Sequence, residues 1–267
     1  SRRGAKRNIK SHYDLGNEFY ASWLDPSMTY SSAAYPASTA SLEKAQEHKY
    51  HLLLSKLNVD ASHHILEIGC GWGGFAIYAA KTTGCKVTAL TISQAQFNYA
   101  KLNVSRLGLE GQISIKLCDY RDINERFDRI VSIEMLEAVG EAYWASYFGK
   151  FNSLLAIGGR AAIQVITIDE AYWQNYRRNP DFIQQYIFPG GMLPTKNQLE
   201  ISAKEVGLKC LELLSFGKSY AKTLNIWNSQ FQNSWNDVSS YGFNSEFKRM
   251  WEFYFSYCET GFLSSST

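Results

Sequence analysis

The 267-residue sequence predicts an α/β protein: a doubly wound, mostly parallel sheet with helices on both faces. Short apolar runs alternate with amphipathic stretches at the period of βα units. The first run leads directly into the glycine cluster Gly69-Cys70-Gly71-Trp72-Gly73-Gly74. With 45% apolar and 19% charged residues, the chain can bury the core of one large domain, or of one domain with a small appendage.

Residues 1–60 read as a helical lid segment ahead of a catalytic domain over 61–267. Ser41 or Thr39 caps a helix on which Leu42, Ala45, His48 and Leu52 recur at helical spacing. His64-Ile65-Leu66-Glu67-Ile68 is a short buried strand, and a helix over 75–81 follows the glycines. A second strand spans 86–90, and Ser93 caps a helix that runs to about Leu107 and stops at Gly108. Residues 113–117, 127–133 and 161–168 are the next strands, with a helix over 142–156 ending at Gly158-Gly159 before the last. An aromatic insertion over about 170–195 interrupts this rhythm and holds Phe188-Pro189-Gly190-Gly191. A late strand is expected over 208–215, and Phe247, Met250, Trp251, Tyr254 and Cys258 mark one stripe of a C-terminal helix.

The net charge is +2, and five cations, Arg2, Arg3, Lys6, Arg7 and Lys10, stand in the first ten residues; the +2 total minus those five leaves −3 for the rest. That excludes a broad nucleic-acid-binding face. It permits a short arm against an anionic membrane surface, and equally a solvated tail. Five cysteines without C-x-x-C spacing suit reduced thiols in the cytoplasm. All five histidines lie at or before His64 without an H-E-x-x-H pattern, so no metal site is expected. A base in the C-terminal three quarters is therefore a carboxylate, a tyrosine or a bound small ion. No apolar window is long enough to span a bilayer. Thirteen of the 39 aromatic residues fall between Tyr220 and Phe262, which suits a large apolar or cation-stabilising cavity and, equally, a filled core.

Strand, glycine loop and helix together make a nucleotide-cofactor site, since glycines admit a tight turn and the helix start offers free N–H groups. Gly69, Gly71 and Gly74 match G-x-G-x-x-G, which leaves a dinucleotide open. Three features favour S-adenosylmethionine. Glu67 sits two residues before Gly69, as in the E-x-G-x-G-x-G pattern of class I methyltransferases; the second strand ends Leu90-Thr91-Ile92-Ser93 without an acid for a dinucleotide ribose; and Phe127-Asp128 opens the fourth strand.

The chain resembles the cyclopropane-fatty-acyl-phospholipid synthases and the mycolic-acid cyclopropane synthases. The matching segments include His12-Tyr13-Asp14-Leu15-Gly16-Asn17, Met28-Thr29-Tyr30-Ser31, 66–74 (LEIGCGWGG), Asp119-Tyr120-Arg121-Asp122, 134–140 (EMLEAVG) and 186–194 (YIFPGGMLP). The resemblance implies a Rossmann-like sheet of seven strands with a helical lid and acyl-pocket insertion. It implies transfer of the methyl of S-adenosylmethionine to a cis double bond of a phospholipid acyl chain, with a carbocation that closes to a ring after proton loss. Gly69, Gly71 and Gly73 then resemble the cofactor loop, Thr91, Ile92 and Gln96 the adenosine and ribose contacts, and Tyr120 and Arg121 the residues flanking the adenine. Tyr13, Tyr30 and Ser31 resemble the lid over the cofactor. Glu137 resembles the carboxylate that orients a bicarbonate base, with Tyr220 and the backbone of Ile166 beside the ion. Three positions depart from the family pattern: Ser32 stands for a cysteine, Gln164 for a histidine, and Ala138 for the histidine after Glu137. Serine and glutamine still donate to a small anion. The departures leave open a methyl-branched or methylene product; a small-molecule N- or C-methyltransferase on the same fold and a non-catalytic lipid-binding module are the competing readings. A homodimer is also left open.

Overall fold

The computed structural model describes residues 15–37 and 39–267. Five strands form one fully parallel sheet in the order β3-β2-β1-β4-β5: β1 (His64–Ile68), β2 (Lys86–Thr91), β3 (Ile113–Leu117), β4 (Phe127–Ile133) and β5 (Leu155–Gln164). The strand order reverses between β1 and β4, and a cofactor crevice opens beyond the carboxyl ends of strands at such a switch point.

Local chemistry explains most boundaries. After a short helix α1 (Asn17–Ala21), α2 (Leu42–Leu57) starts where the Ser41 hydroxyl accepts the Lys44 N–H at 3.3 Å, and stops where Asn58 takes the left-handed conformation. Its buried face holds Leu42, Ala45, Tyr50, Leu54 and Leu57, while His48 and Leu52 are half-buried. Helix α3 (Gly74–Thr83) follows β1, and Ser93 caps α4 (Gln94–Arg106) by accepting the Gln96 N–H at 3.3 Å. Helix α5 (Trp144–Leu154) runs into β5, which begins six residues before the expected start. The register slips between Phe127↔Leu155 and Arg129↔Arg160, so residues 156–159 bulge out, with Gly158 at φ 74°.

Among the described residues the sheet has five strands, not the seven expected. Residues 208–215 form no strand: they have no pairing partner, and Leu211, Leu213 and Leu214 are exposed. An apolar run alone does not make a strand when no sheet edge accepts its backbone.

The remaining helices are α6 (Glu170–Arg178), α7 (Lys196–Glu205), which packs on α5, α8 (Gly217–Asn233), α9 (Trp235–Ser240) and α10 (Ser245–Leu263). Between α6 and α7, residues Ile183–Ile187 form a π-helical turn before the Phe188-Pro189-Gly190-Gly191 loop. Helices α8 and α10 enclose the N-terminal segment. Trp23 lies between Trp227, Trp251 and Phe255, with ring centroids 5.6, 5.8 and 5.4 Å away. The C-terminal aromatic surplus thus divides: Trp227, Phe231, Trp251 and Phe255 fill a core, whereas Tyr220, Tyr254, Tyr257 and Phe262 line a cavity. No described helix is long and apolar enough to cross a membrane.

Candidate active site

The loop from β1 to α3 needs its glycines. Gly69, Gly71 and Gly73 have φ of 83°, 53° and 92°, a region that side-chain-bearing residues seldom adopt. A Cβ on Gly71 would point into open space, whereas one on Gly74 would come within 2.9 Å of the Ser27 carbonyl oxygen. The loop therefore leaves room at Gly71 and packs tightly behind it. Beneath lies Glu67, buried in β1, with one carboxylate oxygen unpartnered; burial pushes its pKa up to about 8, against the pull of Lys49. Lys49 is also buried, which brings it down to about 7, and it donates to the Ser31 hydroxyl at 2.7 Å.

The expected cofactor residues surround one cavity of about 1220 Å³, lined by Tyr30, Ser31, Gly69, Gly71, Thr91, Ile92, Gln96, Tyr120 and Arg121. Gly73 is not in its wall but caps α3. Tyr13 lies outside the described residues, as do His12 and the five N-terminal cations. Thr91 donates its hydroxyl to Gln96 at 2.8 Å, which fixes both at the end of β2. Arg121 is already paired with Asp119, its Nε donating at 2.8 Å. Asp119, which the sequence reading did not single out, thereby holds the turn that carries Tyr120. The cavity exceeds the roughly 300–1,000 Å³ typical of a single-ligand pocket, and its other walls include Tyr220, Leu224, Tyr254 and Phe262.

Of the five residues expected at the reacting centre, Ser32, Gln164 and Tyr220 converge on a different carboxylate, Glu134, while Glu137 and Ile166 pair with each other. Ser32 N–H and Gln164 Nε2 each donate to Glu134 Oε1 at 2.8 Å, and the Tyr220 hydroxyl donates to Glu134 Oε2 at 2.6 Å. The Ser32 hydroxyl turns away, to the Ala33 carbonyl. Glu137 stands apart: Oε1 accepts the Ile166 N–H at 2.6 Å, and Oε2 is buried without a partner. Glu134 follows the end of β4 and holds φ 48°, a left-handed conformation that costs on the order of 1–3 kcal/mol in a residue with a side chain. The available signal in the sequence was a second carboxylate three residues before Glu137, directly after a strand at the switch point.

The sequence matches the mycolic acid cyclopropane synthetase family over residues 1–267. The chain belongs to that family. It is 40% identical over 273 aligned positions to "Tuberculostearic acid methyltransferase UfaA1" of Mycobacterium tuberculosis, covering 99% of this chain and 64% of the relative. It is 35% identical to the cyclopropane-fatty-acyl-phospholipid synthase of Escherichia coli K12, covering 95% of this chain and 63% of that one. The chain thus spans a little under two thirds of these relatives. A solved structure of mycolic acid cyclopropane synthase CmaA1 complexed with SAH and CTAB superposes with a TM-score of 0.91 and 27% identity, covering 98% of this chain and 94% of that one. The fold is that of the class I S-adenosylmethionine-dependent methyltransferases.

The glycine loop, the space at Gly71 and the unpartnered Glu67 oxygen fit that cofactor. The bicarbonate implied by the family resemblance fits less well in this family member: two of its expected side-chain donors, Gln164 and Tyr220, and the Ser32 backbone are taken by Glu134. Electrostatics separate the two glutamates. Both are shielded from bulk solvent, and burial raises both pKa values. Three hydrogen bonds and Lys49 oppose this at Glu134, whereas the charge of Glu134 adds to it at Glu137, which rises to about 8. The difference favours the ionised form at Glu134 and the protonated form at Glu137. Glu137 therefore binds its proton more tightly folded than unfolded, so stability falls as pH rises from the ordinary carboxylate range toward 8, by at most about 1.4 kcal/mol per pH unit. Glu137→Gln, which mimics the protonated form, should flatten that slope. Urea unfolding at pH 5 and pH 8 checks it, and equal slopes in both proteins would count against the assignment.

Proposed function

We propose that this chain transfers the methyl carbon of S-adenosylmethionine to the cis double bond of an unsaturated phospholipid acyl chain and closes a cyclopropane ring. The observation that carries the reading is a single cavity lined both by the glycine loop and by the aromatic wall of Tyr220, Tyr254 and Phe262. It is large enough for a cofactor beside an acyl segment.

S-adenosylmethionine, when bound, supplies a methyl carbon activated by its sulfonium. The chain's residues do the rest. Gly69 and Gly71 let the backbone approach the cofactor, Thr91, Ile92 and Gln96 receive its adenosine and ribose, and Tyr120 and Arg121 flank the adenine. Tyr30 and Ser31, which line the cavity, would cover it. An alkene is a weak nucleophile, so proximity in a dry site matters most. Aromatic faces stabilise positive charge that develops on the acyl chain. The cations among residues 1–10 would draw the protein to the anionic inner face of the membrane.

A second reading, methyl-branched or methylene acyl chains, is favoured by the 40% identity to a relative named as a tuberculostearic acid methyltransferase. Proton NMR of lipids after incubation with S-adenosylmethionine and dioleoylphosphatidylglycerol vesicles separates the outcomes. Upfield ring protons support ring closure; terminal methylene or branch-methyl signals in their place select the second reading.

A further inference from the structure

We infer that Glu134 is the proton acceptor of the reaction, a built-in carboxylate that takes the place of a bound bicarbonate. The inference rests on the proposed acyl reaction and adds the identity of its base.

Geometry carries it. A carboxylate offers about four acceptor sites. At Glu134 three are filled, two on Oε1 by Ser32 N–H and Gln164 Nε2, and one on Oε2 by Tyr220. The vacant site is on Oε2, and Glu134 lines the cavity, whereas Ser32 and Gln164 stand behind it. This is the arrangement of a base held from the rear with one lone pair facing the reactants. Its donors come from three distant parts of the chain, 102, 30 and 86 residues away. The fold also maintains a left-handed backbone at this non-glycine residue. Such strain persists where the surroundings over-determine it. Glu137 lacks this support, having one backbone donor and a buried unpartnered oxygen.

The step balances as follows. The alkene π pair forms a C–C bond to the methyl carbon as the C–S bond of the sulfonium donor breaks, leaving a thioether and a carbocation on the acyl chain. One C–H bond of the delivered methyl then breaks, its electron pair forms the second C–C bond of the ring, and Glu134 Oε2 takes the proton. Glutamic acid returns that proton to water after product leaves. If a ring-adjacent acyl carbon loses the proton instead, the same carboxylate accepts it.

Two variants test the assignment. Glu134→Gln keeps shape and loses the base; S-adenosylhomocysteine binding by calorimetry should stay within about threefold while turnover on dioleoylphosphatidylglycerol vesicles falls at least ~100-fold. Glu134→Gly removes the side chain, suits φ 48°, and frees all three donors. It should bind ¹³C-bicarbonate, seen as line broadening in ¹³C NMR, whereas the native chain should not. Native turnover should be unchanged in buffer stripped of carbon dioxide. The inference is overturned if Glu134→Gln turns over normally, if native turnover collapses without bicarbonate, or if the native chain binds ¹³C-bicarbonate as the glycine variant does. The binding arm decides even if lipid proves not to be the acceptor; a native chain that binds S-adenosylhomocysteine but modifies no lipid would instead reject the acyl reading.

Discussion

Tyr220→Phe should lower turnover by roughly 10- to 100-fold with little change in cofactor affinity. The hydroxyl donates to Glu134 Oε2 at 2.6 Å, and Tyr220 is itself buried. A hydrogen bond to a charged group contributes about 1.5–3 kcal/mol, which corresponds to that range of rate. The ring itself should stay in place, because it stacks on Phe262 with centroids 4.4 Å apart. Loss of the donor raises the pKa of Glu134 further, since burial then faces only Ser32, Gln164 and Lys49. A raised base pKa moves the acid limb of the pH–rate profile upward. A lower plateau with an unmoved limb would mean that Tyr220 merely packs.

Trp23→Ala should destabilise the fold by about 3–5 kcal/mol, the range for truncating a large buried aromatic. Trp23 is 1% exposed and meets Trp227, Trp251 and Phe255 from α8 and α10, and Tyr30 at 5.3 Å. It therefore joins the N-terminal segment to the helices that form the apolar wall, and its loss should also weaken cofactor binding through Tyr30. Its Nε1 is buried without a hydrogen-bond partner, so Trp23→Phe removes an orphan donor and should cost much less. Denaturant midpoints of both variants check this. Equal losses would contradict this, since a phenyl ring would then recover none of the packing.

The elements nearest the cofactor were the most legible. β1, β3 and β4 match their expected bounds, β2 extends one residue further, and α4 ends one residue sooner than expected. These segments are short apolar runs closed by glycine or a serine cap, and local chemistry decides them. β5 was placed late because its bulge puts Gly158-Gly159 inside the strand rather than before it. The composition of residues 208–215 suits a strand but carries no information about whether a partner edge exists. Glu134 was missed for a related reason. Ser32, Gln164 and Tyr220 are legible as site residues, yet the group they share is defined by contacts across 30 to 102 residues. Spacing along the chain does not reveal such a convergence, and the family resemblance directed attention to Glu137.

The central claim is that the acceptor is an acyl chain. It is tested most directly by incubating the purified chain with methyl-labelled S-adenosylmethionine and dioleoylphosphatidylglycerol vesicles, saponifying the lipid, and counting the label in each fraction. Label should follow the released fatty acids. Label in the glycerophosphate head-group fraction, or none in lipid while the protein binds S-adenosylhomocysteine, would contradict it.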